Sequence, residues 1–496
     1  MARATRRRWG LRLILRRLAP ALAMCLSACV AGPNYQEPRA PVPEAFSQAP
    51  SAALSDAAWW LGFGDPLLNQ LVAEARAANL DLRQAALRVE EARHQVRIAG
   101  AAAAPQVSAN AQASDNRLSE TTSIASLLGG AGAPGSGPTG APGTTFSTYQ
   151  VGFDASWELD LAGANRRAVQ AAQARAEAAA WGTRDAEILL TAEVARSYLD
   201  YRALDRRIDL NAQLRTLRAE VLAYSQVRRR HGLTTILDER RAERDLAAVD
   251  AALQDLLAQR AAQAHALAVL LGCPPLALNA ELAAAPVATG TPDAIPVGLP
   301  SDLLRRRPDL RAAERDLAAA TADIGVAVAD LYPSISLTGV VSLVSGSLAK
   351  LVSGDSLQTS AGAGLALPLL DGGRRRATVD LRRTQAQASL LAYQAAVLTA
   401  LKDVEDALSR LEAERERKAR LQAAEAAARD QLAAVQAQNT AGLATGLDLL
   451  AARASWLDAS DALAQSQAAT DQAVVALYKA LGGGWDERRI AVSGGT

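Results

Sequence analysis

Residues 232–238 read Gly-Leu-Thr-Thr-Ile-Leu-Asp, and residues 442–448 read Gly-Leu-Ala-Thr-Gly-Leu-Asp. The two stretches lie 210 residues apart, and Leu271-Gly272 recurs at the same offset as Leu481-Gly482. Ordered matches at one spacing indicate an internal duplication, so each half of the chain should contain the same succession of elements. Two further matches lie upstream: residues 163–168 with 372–377, and residues 105–108 with 333–336.

A long stretch without helix-breaking residues precedes each of the two glycines. No proline occurs between Gly143 and Cys273 or after Pro368, residues 164–231 contain one glycine, and residues 374–441 contain none. Each stretch has 68 residues, enough for a helix of about 100 Å at a rise of 1.5 Å per residue. The sequence therefore predicts one very long helix in each half, a break at the glycine, and a second helix after it.

Apolar residues inside both predicted long helices follow a coiled-coil spacing, with alternating steps of four and three residues. They are Leu210, Leu214, Leu217, Val221 and Tyr224 in the first helix and Val397, Leu401, Val404, Leu408 and Leu411 in the second. A period of 3.5 residues forms a stripe that follows a left-handed supercoil. We therefore expect these helices to pack side by side.

Each half also contains two segments in which apolar and polar residues alternate. The apolar positions are Val107, Ala109, Ala111 and Ala113, then Tyr149, Val151, Phe153, Ala155, Trp157 and Leu159, and in the second half Ile335, Leu337, Gly339, Val341, Ala361, Ala363, Leu365 and Leu367. Runs of about ten residues with this period are typical of transmembrane strands between lipid and water. A half-exposed soluble sheet gives the same alternation, so the pattern alone leaves that alternative open.

The predicted strands are too few to close a barrel within one chain. Two hairpins supply four strands, whereas the smallest membrane barrels have about eight. An open sheet edge in lipid leaves backbone groups without hydrogen-bond partners, which excludes it. If the sheet enters a membrane, several chains must share one barrel.

The N-terminal region has the composition of a bacterial export signal. Residues 1–17 contain seven arginines and no acidic residue, and residues 18–28 form a short apolar run. The following Leu26-Ser27-Ala28-Cys29 is similar to a lipobox, which implies that Cys29 carries diacylglycerol and an N-acyl chain. A secreted chain with an unmodified Cys29 is the alternative. In lipoproteins, the absence of Asp after the cysteine favours the outer membrane, and Val30 occupies that position.

The mature chain is expected to be mildly acidic. Removing seven arginines from 53 basic residues leaves 46, against 52 acidic residues, a net charge of about −6. This charge is not suited to binding nucleic acid. With Cys25 in the signal and Cys29 lipidated, Cys273 has no partner for an intrachain disulfide.

Several motifs, in order, resemble the outer-membrane factor family, the TolC/OprM-like, NodT-type efflux lipoproteins. They are VAGPNY at 30–35, WELDL at 157–161, GLPSDLLRRRPD at 298–309, YPSISL at 332–337 and YKALGGGW at 478–485. Together they extend over nearly the whole mature chain.

The resemblance implies a mixed α/β membrane protein. Three copies would form a twelve-stranded outer-membrane β-barrel, four strands per chain, continued by a long coiled-coil α-helical periplasmic barrel. The implied function is the outer-membrane channel of a tripartite efflux system, which passively conducts small toxic compounds such as drugs or metal ions. The implied partners are a periplasmic adaptor, an inner-membrane pump of the RND type and outer-membrane lipid. Neither catalysis nor a cofactor other than the lipid on Cys29 is expected.

The duplication and the resemblance together give a domain division. The predicted segments are the signal peptide (1–28), the lipid anchor and extended tether (29–54), the first helical segment (55–104), the first barrel hairpin (105–162), the first long helix pair (163–273), the crossover linker (274–300), the second helical segment (301–332), the second hairpin (333–371), the second long helix pair (372–482) and the C-terminal tail (483–496).

The breaks between the long helices match the family's helix-hairpin turns, which lie at the periplasmic tip. The matching residues are Gly232, Leu233 and Thr234 in the first half and Gly442, Leu443 and Ala444 in the second. Each glycine is suited to end a helix, and an apolar residue follows on a solvent-facing turn. We expect these turns to dock the adaptor, with simple helix caps as the alternative.

Asp238 and Asp448 occupy equivalent positions just after the two turns. Repeated by trimer symmetry, an acidic residue here would form a negative ring that narrows the pore. A helix N-terminal cap is an equally good interpretation. The family's acidic constriction position aligns with Ala451, and its gating Tyr-Arg pair aligns with Asn439-Thr440, so this chain departs from the family at its gate.

Three other functions are compatible with parts of the sequence. An enzyme is disfavoured because His94, His231 and His265 lie in predicted helices with no nucleophile motif nearby. A coiled-coil lipoprotein that only tethers membranes explains the helices and Cys29 but not the duplicated hairpins. An exit duct for type I protein secretion remains the alternative within the channel interpretation.

Overall fold

The computed structural model describes residues 30–485, apart from residue 41 and residues 48–57, 118–144, 285–289 and 293–294. The predicted signal peptide, the lipidation candidate Cys29 and residues 486–496 lie outside the described residues.

Each half of the chain contains the same elements in the same order. The first half has α1 (Pro66–Ala78), α2 (Leu80–Ala101), β1 (Gln106–Arg117), β2 (Thr145–Leu159), α3 (Ala164–Arg230) and α4 (Ile236–Leu270). A short helix, α5 (Asn279–Ala284), lies in the connection. The second half has α6 (Pro300–Arg306), α7 (Pro308–Ala329), β3 (Ser334–Ser345), β4 (Leu357–Ala366), α8 (Arg374–Thr440) and α9 (Gly446–Ala480). Single 3-10 turns occur at Trp59–Phe63, Leu348–Lys350 and Gly354–Ser356.

The helix lengths confirm the duplication. Helices α3 and α8 each have 67 residues, and α4 and α9 each have 35. At 1.5 Å per residue, the long helices extend for about 100 Å. Each 67-residue helix is separated from the following one by five residues, at the predicted glycine break.

The helical segment predicted before each hairpin consists of two helices. In the first half, Asn79 separates them, and its Oδ1 accepts a hydrogen bond of 2.9 Å from the backbone N–H of Leu82. In the second half, Arg307 has an extended backbone before Pro308, which begins α7. Proline disfavours a helical conformation in the residue before it, and this explains the second break.

Contacts divide the chain into two compact units. The first contains the described residues of Met1–Gln36, Ala92–Arg175 and Leu317–Ser389, and the second those of Glu37–Glu91, Ala176–Asp316 and Leu390–Thr496. All four strands belong to the first unit, and both helix-hairpin turns belong to the second.

The four strands form one antiparallel sheet in the order β1-β2-β3-β4. The central pairing, between β2 and β3, joins the hairpins of the two halves, and Phe153 lies opposite Val341 in it. Strands β1 and β4 are the outer strands of the sheet among the described residues.

The predicted coiled-coil stripes form buried seams in the second unit. In α8, Val397, Val404, Leu408 and Leu411 are all buried. In α3, Leu210 and Leu217 are buried in a cluster with Leu457 of α9, whereas Tyr224, nearer the turn, is 39% exposed. Side-by-side packing of these helices is therefore confirmed.

Candidate functional site

One face of the sheet is apolar across all four strands. Phe153 lies between Ala109 of β1 and Val341 of β3. Ile335 of β3 lies between Leu159 and Leu365 in the same way. This face is exposed: Phe153 is 61% exposed and Leu365 is 70% exposed.

The opposite face is mainly polar. Asn110, Gly152 and Ser342 share one row across it, and the Asn110 side chain donates a hydrogen bond to the carboxylate of Asp154. A soluble sheet buries its apolar face and exposes its polar one, whereas this sheet exposes its apolar residues. The distribution is that of strands with lipid on one side and water on the other.

None of the described helices combines the length and the apolarity that a membrane crossing requires.

The two helix-hairpin turns have the same backbone geometry. In the first, Gly232 has a φ of +72°, and the N–H of Leu233 donates to the carbonyl of Arg228 at 2.8 Å. In the second, Gly442 has a φ of +73°, and the N–H of Leu443 donates to the carbonyl of Gln438 at 2.8 Å. These are Schellman motifs, which end a helix with a left-handed residue that glycine adopts without strain.

The leucine after each glycine projects into solvent. Leu233 is 65% exposed and Leu443 is 81% exposed. In Schellman motifs, an apolar residue at this position often packs back onto the helix that it follows. The exposure of both leucines leaves an apolar side chain available to another molecule on each turn. Thr234 and Ala444, the third residue of each predicted tip, are half-buried.

Asp238 and Asp448 begin the helices that follow the turns. The N–H of Thr445 donates to Asp448 Oδ2 at 2.8 Å, and the N–H of Asp448 donates to Thr445 Oγ1 at 3.2 Å, which completes a capping box. In the first turn, the Thr234 hydroxyl donates to Asp238 Oδ2, and the N–H of Thr235 is 3.5 Å from the same oxygen. Both carboxylates therefore stabilise the first turn of a helix.

The hydrogen bonds at these caps change the acidity of both carboxyl groups. The bond from Thr234 lowers the pKa of Asp238, and the bonds from Thr445 lower the pKa of Asp448. Both groups are therefore ionised at neutral pH. In the monomer they lie at the surface, and a role in the pore remains a prediction.

The positions that align with the family's gate form local hydrogen bonds in this chain. Asn439 donates its Nδ2 hydrogen to the carbonyl of Ala444 at 3.0 Å, and the Thr440 hydroxyl donates to the carbonyl of Gln436 at 2.9 Å. Ala451 is exposed one turn after Asp448. The hydrogen bond from Asn439 thus holds the second helix-hairpin turn against the end of α8.

The two turns differ in charge. Residues 228–241 contain five arginines and two acidic residues, whereas residues 438–451 contain one acidic residue and no basic one. Two of the arginines are paired within the hairpin: Arg229 lies 2.5 Å from Glu239, and Arg241 lies 3.9 Å from Asp238. The first turn therefore has a net positive charge of three, and the second a net negative charge of one.

Sequence reasoning missed a partly buried polar contact that links α8 to α9. The indole N–H of Trp456 donates to Glu425 Oε1 at 2.7 Å, and Arg429 donates to the same carboxylate at 2.8 Å. The spacing of Glu425 and Arg429 by four residues was the available signal, since side chains at this distance meet on a helix. The contact with Trp456 depends on the packing of the two helices.

No cluster of three or more His, Cys, Asp and Glu side chains suited to a metal ion occurs in the part of the chain that the structure describes.

An amphipathic four-stranded sheet with its apolar face exposed, in a chain with paired 67-residue helices, is the architecture of an outer-membrane channel subunit. Comparisons with known proteins give the same result. Residues 71–273 and 299–483 match the outer membrane efflux protein family. The chain belongs to this family, and it is an outer-membrane efflux channel protein of a Gram-negative bacterium.

Similar proteins cover almost the whole chain. The outer membrane protein OprJ of Pseudomonas aeruginosa is 33% identical over 476 residues, which are 95% of this chain and 96% of OprJ. TtgF of Pseudomonas putida, a toluene efflux pump outer membrane protein, is 33% identical over 498 residues, 95% of this chain and 97% of TtgF. The open state of the MtrE outer membrane channel of Neisseria gonorrhoeae superposes with a TM-score of 0.79 at 30% identity and covers 92% of this chain and 99% of MtrE.

The capping box at Asp448 should make the start of α9 sensitive to acid. Because the folded-state pKa of Asp448 lies below its ordinary value of 3.8, its stabilising effect is present above that value and is lost as the pH falls through the folded-state pKa. Hydrogen exchange at residues 445–449 should therefore be faster in Asp448→Ala than in wild type at pH 7. Asp448→Asn, which keeps an acceptor oxygen but loses the charge, should exchange at a rate between those of wild type and Asp448→Ala. Equal exchange in all three proteins would contradict the cap.

Proposed function

We propose that three copies of the chain close a twelve-stranded barrel in the outer membrane and form the exit duct of a tripartite efflux system. The observation that carries this proposal is a sheet with an exposed apolar face, whose outer strands β1 and β4 each have one edge without a strand partner among the described residues. Unpaired edges are not tolerated in lipid, so strands from other copies must complete the sheet. The resemblance to outer-membrane factors supplies the number three.

The duct conducts its cargo passively, and an inner-membrane pump of the RND type supplies the energy. The long helices, whose backbone groups are paired internally, are suited to line a water-filled conduit. Small toxic compounds are the proposed cargo, and the description of TtgF as part of a toluene efflux pump supports this class. The chain itself needs no cofactor beyond the lipid proposed for Cys29 and carries out no reaction.

The helix-hairpin turns are the proposed docking sites for a periplasmic adaptor. Leu233 and Leu443 offer exposed apolar side chains on turns that are fixed by hydrogen bonds at both sides. Because the first turn is basic, its complement on the adaptor should be acidic, whereas the second turn should meet a mainly apolar surface. The two turns of one chain would therefore bind chemically different parts of the adaptor.

Assembly can be tested with a charge on either face of the sheet. An arginine on the lipid-facing side of a membrane strand costs about 2–4 kcal/mol near the middle of the bilayer. Phe153→Arg should therefore prevent insertion, whereas Thr338→Arg, opposite Ser156 on the polar face, should be tolerated. The measurement is the native mass of protein extracted from outer membranes in mild detergent. Wild type and Thr338→Arg should have a trimer mass, and a monomer mass for wild type would refute the shared barrel.

Adaptor docking can be tested at the second turn. A bulky side chain at Gly442, where φ is +73°, should distort the turn and block the surface beside Leu443. Gly442→Trp should abolish efflux, measured as drug susceptibility, while the trimer still assembles. Gly442→Asn is the matched control, because asparagine tolerates the left-handed conformation and is small. Normal drug resistance in Gly442→Trp would remove this turn from the docking role.

We further propose that Asp238 and Asp448 contribute a negative ring to the pore, in addition to capping their helices. Ionised carboxylates repeated by symmetry favour the passage of cations. Single-channel recordings of Asp448→Asn, which removes the charge but keeps an acceptor for the cap, should have a lower cation-to-anion permeability ratio than wild type. An unchanged ratio would leave Asp448 with the capping role alone.

A further inference from the structure

The guanidinium of Arg167, in the first turn of α3, binds the segment that follows residue 29. Arg167 is only 4% exposed. Its Nε donates to the carbonyl of Ala31 at 3.0 Å, and its Nη2 donates to the carbonyl of Gly32 at 3.3 Å and to Asn34 Oδ1 at 2.8 Å. Its Nη1 donates to Gln170 Oε1 at 3.0 Å. All three nitrogens of a buried cation are thus directed to acceptors, three of which belong to this segment.

The segment approaches so closely that side chains are excluded on both sides. Gly32 has a φ of +84°, and a Cβ atom there would lie 2.5 Å from the Cα of Gly325 in α7. A Cβ atom on Gly325 would lie 2.7 Å from the Cγ of Arg167. Two glycines therefore create the space in which the backbone of the segment crosses α7 and reaches the guanidinium.

The residues nearest to position 29 are held in the same way. The N–H of Ala31 donates to the carbonyl of Ala162 at 2.9 Å. Val30 lies against Gly163, where a Cβ atom would be 3.0 Å from the Cγ1 of Val30. We call Ala162, Gly163, Arg167 and Gly325 the N-terminal clasp.

The clasp lies beside one end of the strands of the sheet. Ala162 and Gly163 follow Leu159, the last residue of β2, which pairs with Ile335 at the start of β3. Ile335 in turn pairs with Leu365 near the end of β4. The clasp is therefore at the end of the sheet where the strands connect to the helices.

We propose that the N-terminal clasp holds residues 30–34 at the end of the sheet where the strands connect to the helices, and that it thereby couples the proposed lipid anchor to the membrane strands. The inference rests on the proposed lipidation of Cys29. A lipid attached to a segment that is held against the strand ends would keep the sheet close to the membrane, and this would raise the effective concentration of the sheet at its site of insertion. Arg167 is a positioning residue in this scheme.

The test uses the full chain, expressed in a Gram-negative host with labelled palmitate and extracted from the outer membrane. Arg167→Met should leave palmitate incorporation unchanged and increase hydrogen exchange at residues 30–35 by about tenfold or more, as expected when charge-assisted hydrogen bonds are lost. After a pulse of synthesis, the trimer should also appear more slowly. Arg175→Met removes an exposed arginine of the same helix, α3, which pairs with Asp323 of α7, and it should behave as wild type.

A second variant separates release of the segment from damage to α3. Gly32→Ala leaves Arg167 in place but brings a Cβ atom against Gly325, so it should release the segment and slow trimer appearance in the same way. Wild-type exchange at residues 30–35 in both variants, or rapid trimer appearance despite release, would overturn the inference while efflux by the wild type stands. Absence of palmitate from the wild type would overturn both the lipidation and the inference, and drug susceptibility would then report separately on the channel.

Discussion

Backbone hydrogen bonding at the outer strands of the sheet is the constraint on which the rest of this protein depends. Strands β1 and β4 each have one edge without a strand partner among the described residues. In water such an edge is solvated, but the exposed apolar face of the sheet requires an apolar environment, where each unpaired group costs several kcal/mol. Burial of the face and pairing of the edges are therefore coupled, and neither is favourable for one chain alone.

The long helices satisfy the same constraint in a different way. Within α3 and α8, each N–H binds a carbonyl of the same helix, so a span of about 100 Å requires no partner strand. Only the ends have unpaired backbone groups. At both hairpin turns, these groups are bonded by a Schellman motif on one side and by a threonine and an aspartate on the other. The duplicated seven-residue sequence Gly-Leu-x-Thr-x-Leu-Asp contains the residues for both the Schellman motif and the N-terminal cap of the next helix.

The sequence predicted most of the fold because the fold is governed by periodicity and by helix-breaking residues. The helix predicted over residues 164–231, which contain no proline, differs by one residue from the observed helix Ala164–Arg230. Strand alternation was also visible, but lipid and water could not be assigned to its faces until side-chain exposure was known. The caps at Asp238 and Asp448 were one of two equal interpretations, since a carboxylate three residues into a helix has the same sequence whether it caps, lines a pore or does both.

Contacts between distant segments could not be predicted in this way. Arg167 is one of two adjacent arginines in the sequence, and only the three-dimensional structure distinguishes it: Arg166 is exposed beside Asp160, while Arg167 is buried against residues 31–34. The same holds for Glu425, whose contact with Trp456 spans 31 residues. Such contacts join elements whose relative positions are set by packing, which no local pattern in the chain encodes.

The geometry of the turns also bears on how a partner would recognise them. Because both turns are fixed by backbone and capping hydrogen bonds, Leu233 and Leu443 are presented without further ordering of the chain, and this lowers the entropic cost of binding. Equal backbone geometry means that any difference in affinity between the turns must come from their side chains. Five arginines near one turn and none near the other supply that difference. Duplication has thus preserved the shape of the tip, and divergence has changed its charge.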